Sequence, residues 1–318
     1  MENCTENNML QNDTAQNIWL FQLTVYIPVL ILGIPLNIIA FWVFCCKLKR
    51  WTETRVYMIN LMVADSFLLF ALPFLIYFTS YDHPVDNLCF TIQNIYFANM
   101  PMSILIITLI AIDRYIAIKF PLKSNILQSP LKSASICGFL WVVLIIYSYL
   151  HQKFHKAKEN LCFQKESTEP NYLTLFSIIF GFIVPLGIVI FCSVQVIKCL
   201  KKKMATSPHE TTLIQKAIHI VSVNLCVFVV CFSPFYITLL LRFAVDVAGA
   251  CSLLSEVRAS VRICACLANS NCCLDAVCYY FAATEFQEFS SLFPTCISMR
   301  SKTNQSQESQ PPTEQVMI

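Results

Sequence analysis

Seven stretches of this chain are almost free of charge: Ile18–Cys46, Val56–Tyr81, Asn87–Ile112, Ser133–Leu150, Pro170–Ile197, Ala217–Leu241 and Ile263–Phe281. Only Asp65, in the second, and Asp275, in the seventh, interrupt them. A helix rises about 1.5 Å per residue, and about 20 apolar residues cross the hydrocarbon core of a bilayer, so each run is long enough, or nearly so, to span one. A buried soluble core has no need of such a series. The chain is 57% hydrophobic and 13% charged, where a soluble domain of this size carries about twice that charge. The expected fold is an all-α membrane protein, a seven-transmembrane helix bundle.

Lys and Arg set its orientation. The segments after the first, third and fifth spans hold Lys47, Lys49, Arg50, Arg55, Lys119, Lys123, Lys132, Lys198, Lys201, Lys202, Lys203 and Lys216. Arg300 and Lys302 follow in the tail. The opposite side has only Lys153, Lys156, Lys158, Lys165, Arg242, Arg258 and Arg262. The richer side is cytoplasmic, so the N-terminus lies outside. Residues 1–17 form an extracellular arm without the basic and apolar regions of a cleavable signal, and the first span directs insertion. The arm offers glycosylation sequons at Asn3 and Asn12.

Residues 18–281 form the seven-span unit. Over 282–293, Phe286, Phe289 and Phe293 interleave with Glu285, Gln287 and Glu288, which suits a short amphipathic helix on the inner leaflet. Cys296 is a palmitoylation candidate, with an unmodified thiol the equal alternative. Residues 294–318 are polar and expected to be disordered. Of 17 cysteines most lie within spans as small apolar filler; the outer segments hold Cys4, Cys89, Cys162 and Cys251, an even number that reads as two bridges.

Asp113-Arg114-Tyr115 closes the third span, at a boundary where charge need not be desolvated. Other landmarks fall in order: Asn37, Asp65, Leu72-Pro73-Phe74, Trp141, Pro185, Cys231-Phe232-Ser233-Pro234, and Asn271 through Asp275 to Tyr279. On these residues the chain resembles the class A (rhodopsin-like) G-protein-coupled receptors. Within that class it is similar to the branch of nucleotide and lysophospholipid receptors, with Phe41–Cys46, Arg50–Arg55, Val227–Phe232 and Ala283–Glu288 adding to the match.

The resemblance implies a plasma-membrane receptor for an extracellular ligand, coupled to heterotrimeric G proteins of the i/o and 12/13 classes, with arrestin as a further partner. It implies that Asp113, Arg114, Tyr115 and Tyr279 serve coupling. In the class, Arg114 rests against its neighbouring acid, and many members hold it with a second acid at the base of the sixth span. Ile214 stands there, so the resting lock must be weaker or built from other groups. The seventh span reads Asp275-Ala276-Val277-Cys278-Tyr279, without the usual proline, which puts the geometry of its activation swing in question.

Asn37, Asp65, Ser103, Asn271 and Asp275 match the family's pocket for an allosteric sodium ion, with Asp65 and Ser103 as ligands. A hydrogen-bonded network holding a proton and no ion is the alternative. No other cofactor is expected. Cys89–Cys162 and Cys4–Cys251 are the expected bridges.

Tyr96 stands where amine receptors have an acid, Asn269 where opsins have their lysine, and Ala265 where chemokine receptors often have a glutamate. Amines, retinal and chemokines are therefore disfavoured. Arg242, Arg258, Arg262 and Lys165 line the outer mouth, with His151 nearby; cations facing a cavity suit a carboxylate or phosphate. Asp246, four residues after Arg242, is the one acid at helical spacing from it. Tyr96, Phe97, Met100 and Phe232 supply an apolar floor. The expected agonist is an anionic small molecule or lysophospholipid. In one orphan relative, arginines stand at the positions of Met100 and His151, so its ligands need not transfer.

No catalytic constellation is present, and neither an enzyme nor a nucleic-acid partner is expected. Membrane lipids surround the bundle. Ile318, closing an apolar terminus, suits a PDZ domain. A transporter is the reading from another class, although no internal repeat is visible; a constitutively active or decoy receptor is the other alternative.

Overall fold

The computed structural model describes residues 8–47, 51–120, 129–156, 161–163, 170–202 and 208–278. Within them seven helices are long and apolar enough to cross a membrane. They are α1 (Asn8–Trp42), closed by a π turn at Val43–Lys47; α2 (Glu53–Ser80); α3 (Asn87–Lys119); and α4 (Pro130–Lys156). The fifth, α5, runs from Tyr172 to Lys202. Then come α6 (Pro208–Ala248) and α7 (Cys251–Asn269), which resumes over 271–278 after a turn at Ser270. Among the described residues no strand forms, only an isolated bridge between Pro84 and Leu161.

Local chemistry sets the ends. Thr52 caps α2 through the Arg55 amide, Asp86 caps α3 through the Cys89 amide at 2.6 Å, and Asn171 caps α5 through the Leu173 amide. α6 begins on a proline and stops at Gly249, whose φ of +64° lets the Ala250 amide reach back to the Val245 carbonyl. In α5, Pro185 has no amide to give the carbonyl of Gly181. The chain widens there into a π turn at Ile179–Ile183, and the Val184 amide reaches the Ile179 carbonyl.

Two departures from the sequence reading concern backbone. Residues 8–17, expected within the extracellular arm, are helical and continuous with α1, because extending a formed helix costs far less than nucleating one. The seventh helix breaks without its proline: the Ser270 hydroxyl bonds the Cys266 carbonyl at 2.9 Å, and the helix turns there rather than at Ala276.

α3 packs against α2, α4 and α5 and forms the axis of the bundle. Its inward side chains, Met102, Ile104, Ile106 and Ile110, meet Leu61, Met62, Phe182, Phe228 and Phe232 in one buried cluster. Outward, large apolar side chains stay exposed, Ile31 by 66% and Phe139 by 67%. A surface so apolar belongs in lipid. Gly33 lets α1 approach closely, since a Cβ there would meet Leu69 at 2.8 Å.

Candidate functional site

Three layers of interacting side chains lie along the bundle, the inner and middle ones polar. The innermost is at the cytoplasmic end of α3. Asp113 accepts a 2.8 Å hydrogen bond from Thr54 at the start of α2. Arg114 is half-buried beside it, and Tyr115 accepts from Lys119 at 2.9 Å. Ile214, at the base of α6, is buried with Leu213 and Ala217 against Ile118 of α3 and Val196 and Leu200 of α5. The inner end of α6 is thus seated by apolar contact. Tyr279 lies outside the described residues.

The middle layer surrounds Asp65, which is 1% exposed. Asn37, Ser103, Asn271 and Asp275 are all buried near it. Asn37 ties α1 to α7 through the Cys272 carbonyl at 3.1 Å, and Asn271 donates to Asp275. In this layer, and counting the described residues, five buried oxygens have no hydrogen-bond partner: Asn37 Oδ1, Asp65 Oδ2, Asn99 Oδ1, Ser103 Oγ and Asn271 Oδ1. Asp65, Asn99, Ser103, Asn269 and Asn271, with Met100 and Phe232, line a cavity of about 10 Å³, measured as room for a water-sized sphere. That is about enough for one water or ion. Orphaned buried oxygens are costly, so a cluster around such a cavity fits a small cation or an ordered water. Asn99 belongs to this set and was not among the residues expected from sequence.

The outer layer is aromatic. The Cys89–Cys162 disulfide ties the second outer loop to α3. The Cys162 amide donates to the His83 carbonyl at 2.8 Å, which pins the loop a second time. Next along, Phe163 takes φ +62° and packs its ring against Tyr96 at 5.4 Å, Phe97 at 6.1 Å and Phe78 at 6.5 Å. Beneath, Asn269 donates to Tyr96 at 2.8 Å and to Tyr26 at 3.0 Å, joining α7 to α3 and α1.

Of the expected cations, Arg262 shares the inward stripe of α7 with Cys266 and Asn269. Its guanidinium is half-buried, and among the described residues no acid pairs with it. Arg242 is buried and bonded to Asp246 at 2.9 Å. Arg258 is half-buried. Met100 and Phe232 lie deeper, on the cavity below the aromatic layer, and Phe97 is exposed. The side chains of His151, Cys251 and Asn12 are not described. Asn3, Cys4, Lys165, residues 282–293, Cys296 and Ile318 lie outside the described residues.

The pattern of the 7 transmembrane receptor (rhodopsin family) matches residues 36–279. The chain belongs to that family. It is 41% identical over 280 residues to G-protein coupled receptor 35 of Homo sapiens, covering 88% of each chain. It is 34% identical over 277 residues to G-protein coupled receptor 55 of Homo sapiens, covering 84% of this chain and 86% of the relative. With lysophosphatidic acid receptor 6 of Homo sapiens it shares 35% over 275 residues, covering 81% of this chain and 79% of the relative.

The receptor is therefore a multi-pass plasma-membrane protein with its N-terminus outside, a signalling receptor and not an enzyme. The transporter reading falls with that membership. Thr54, Asn99 and Phe163 are the site residues that sequence reasoning missed. Only Thr54 carried a signal, as a hydroxyl at the start of α2 opposite the charged triplet.

Proposed function

We propose that this receptor binds an anionic amphiphile at its outer mouth and passes that binding to G proteins of the i/o and 12/13 classes, with arrestin as a second intracellular partner. The observation that carries the reading is Arg262: a half-buried guanidinium, on the inward stripe of α7, with no acid paired to it among the described residues. A desolvated cation gains most from a carboxylate or phosphate that completes its hydrogen bonds. The aromatic layer of Tyr96, Phe97 and Phe163 suits an acyl or aromatic body. One of the receptors similar in sequence is named for lysophosphatidic acid, which has this chemistry.

The middle layer is the sodium site of the same reading. Asp65 and Ser103 contribute oxygens directly, Asn99 and Asn271 complete the cavity wall, and Asn37 and Asp275 brace them. The ion would supply a positive charge that balances the buried acids.

The test is a screen of lysophosphatidic acid and aromatic carboxylates against biosensors for each G-protein class, with Arg262→Ala and Arg262→Lys beside the parent. The reading expects a response that Arg262→Ala weakens and Arg262→Lys partly restores. A neutral or cationic agonist, or an Arg262→Ala receptor that responds like the parent, overturns it.

A further inference from the structure

The seventh helix has alanine, not proline, at 276, yet it is not straight. At Ser270 its hydrogen-bond ladder changes. The Ser270 amide reaches the Cys266 carbonyl, four residues back, at 3.1 Å. The Cys273 amide reaches only three residues back, to the Ser270 carbonyl at 3.2 Å. The Ser270 hydroxyl adds a second bond to the Cys266 carbonyl at 2.9 Å. A serine hydroxyl that shares a carbonyl with the backbone loosens the turn and bends the helix.

The two sides of this turn are held differently. Above it, the Asn269 side-chain amide donates to Tyr26 at 3.0 Å and to Tyr96 at 2.8 Å, which ties the outer half of α7 to α1 and α3. Below it, the buried side chains are short: Asn271, Cys272, Asp275 and Ala276. The large ones, Leu274 and Val277, are exposed. Short side chains make few contacts each, so tilting this half forfeits little packing. There is also room for it to move. An open groove of about 640 Å³ is lined by Val277 and Cys278 on one side and by Ile220, Val223 and Asn224 of α6 on the other.

We propose that Ser270 is the hinge of α7 and the positioning residue for that helix's part in signalling. The outer half stays fixed to α1 and α3. Residues 271–278, about 12 Å of helix, tilt about Ser270 as one piece. Asn271 donates to Asp275 within that piece, so the two middle-layer residues travel together, and the piece ends beside α6. In place of a kink set by a proline at 276, this chain has one set by a hydroxyl at 270, closer to the outer mouth. The hinge works whatever charge the ligand carries and whatever fills the cavity around Asp65.

The experiment reads agonist-free nucleotide exchange by the full receptor reconstituted with G protein, beside its melting temperature. Ser270→Ala removes the hydroxyl and puts the strongest helix former in its place. It should lower exchange about five-fold, the equivalent of one hydrogen bond, while the melting temperature stays level or rises. Ser270→Thr keeps a hydroxyl and should stay near the parent.

The decisive variants move the hinge. The Cys272 carbonyl, which the residue at 276 would engage within a regular helix, also accepts from Asn37 at 3.1 Å, so a proline at 276 does not leave it alone. In the Ser270→Ala background, Ala276→Pro should restore exchange. Ala276→Gly, which frees the backbone without a ring, is the second variant there. Exchange unchanged in Ser270→Ala overturns the proposal. So does a fall in exchange matched by a fall in melting temperature, which makes Ser270 a packing residue. Failure of both Ala276 variants to restore exchange overturns it as well, because a hinge can be moved along a helix and a specific contact cannot.

Discussion

Arg242 places its Nε 2.9 Å from Oδ1 of Asp246, one helical turn further along α6, with both side chains buried. The pair is internal to the helix and engages Arg242 inside the protein. Arg242 is thus committed to an acid of its own helix, whereas among the described residues no acid pairs with Arg262. Removing one partner of a buried pair leaves the other charge uncompensated, which typically costs about 3–5 kcal/mol, whereas replacing both by apolar groups is often neutral. Arg242→Ala should lower the thermal stability and surface level of the receptor, and Arg242→Met with Asp246→Leu should recover both. Normal stability in the single variant would show that Asp246 finds another partner.

Arg262→Ala should behave in the opposite way. Thermal stability stays near that of the parent, because among the described residues no buried acid is left alone. Agonist potency should fall about ten- to a hundred-fold, the equivalent of one charge-assisted hydrogen bond of roughly 1.5–3 kcal/mol. Concentration–response curves on cells with matched surface expression provide the check. A loss of stability without a loss of potency would make Arg262 a packing residue.

The inner layer gives a third expectation. At the inner end of the bundle Thr54 bonds Asp113 beside Arg114, and Ile214 at the base of α6 packs between α3 and α5; these two contacts are the resting restraint to test. Thr54→Ala removes a hydrogen bond to a charged group, and Ile214→Ala removes buried apolar contact of a kind that costs about 2–5 kcal/mol in cores. Each should raise agonist-free nucleotide exchange by the reconstituted receptor, while Thr54→Ser stays near the parent. Arg114→Ala should abolish exchange with surface expression near normal. Basal exchange unmoved by both Thr54→Ala and Ile214→Ala would place the resting restraint elsewhere.

These cases show what was legible in the sequence. The seven spans were, because lack of charge over such a length has one physical outlet. Asp246 was visible as the one acid four residues from an arginine, but Arg242 was read as a cation for the ligand, and their pairing corrects that. The buried polar residues around Asp65 came from landmark order, but Asn99 did not. A lone asparagine in a span with no acid beside it in sequence looks like a satisfied polar residue, and only its approach to Asp65, Ser103 and Asn271 across three helices gives it meaning. Phe163 was hidden for a different reason. Its place against Phe78, Tyr96 and Phe97 is fixed by a disulfide and a backbone bond to His83, neither of which periodicity records. The missing proline was expected to cost α7 its kink, yet the helix turns at Ser270, whose hydroxyl bonds the Cys266 carbonyl.

Asn99 makes the ion reading testable apart from the acids. Asp65→Asn should make agonist affinity insensitive to sodium, and Asn99→Ala should weaken the same effect without removing a charge. Radioligand competition in sodium against N-methyl-D-glucamine buffers measures both. If the parent responds to sodium and both variants keep the response, the five orphan oxygens serve a water and the ion binds elsewhere.

The last expectation concerns Phe163. A bulky residue at positive φ is rare and strained, and it persists only where its surroundings hold it. Here the disulfide, the Cys162 amide on His83 and the Pro84–Leu161 bridge hold the backbone, and the ring is carried over Tyr96 and Phe97. A ring so placed covers the aromatic layer from outside, between the bulk solvent and any ligand resting on Tyr96. Edge and tilted aromatic pairs contribute about 0.5–1.5 kcal/mol each beyond their buried area. Phe163→Ala should therefore speed agonist dissociation about ten-fold or less, with a smaller rise in the association rate because the mouth is wider. Phe163→Leu should fall between. Breaking the Cys89–Cys162 bridge should speed dissociation at least as much, together with a stability loss of about 2–5 kcal/mol that the Phe163 variants lack. If dissociation quickens in the disulfide variant and stays unchanged in Phe163→Ala, the loop holds the mouth in shape but the phenylalanine is not its cover.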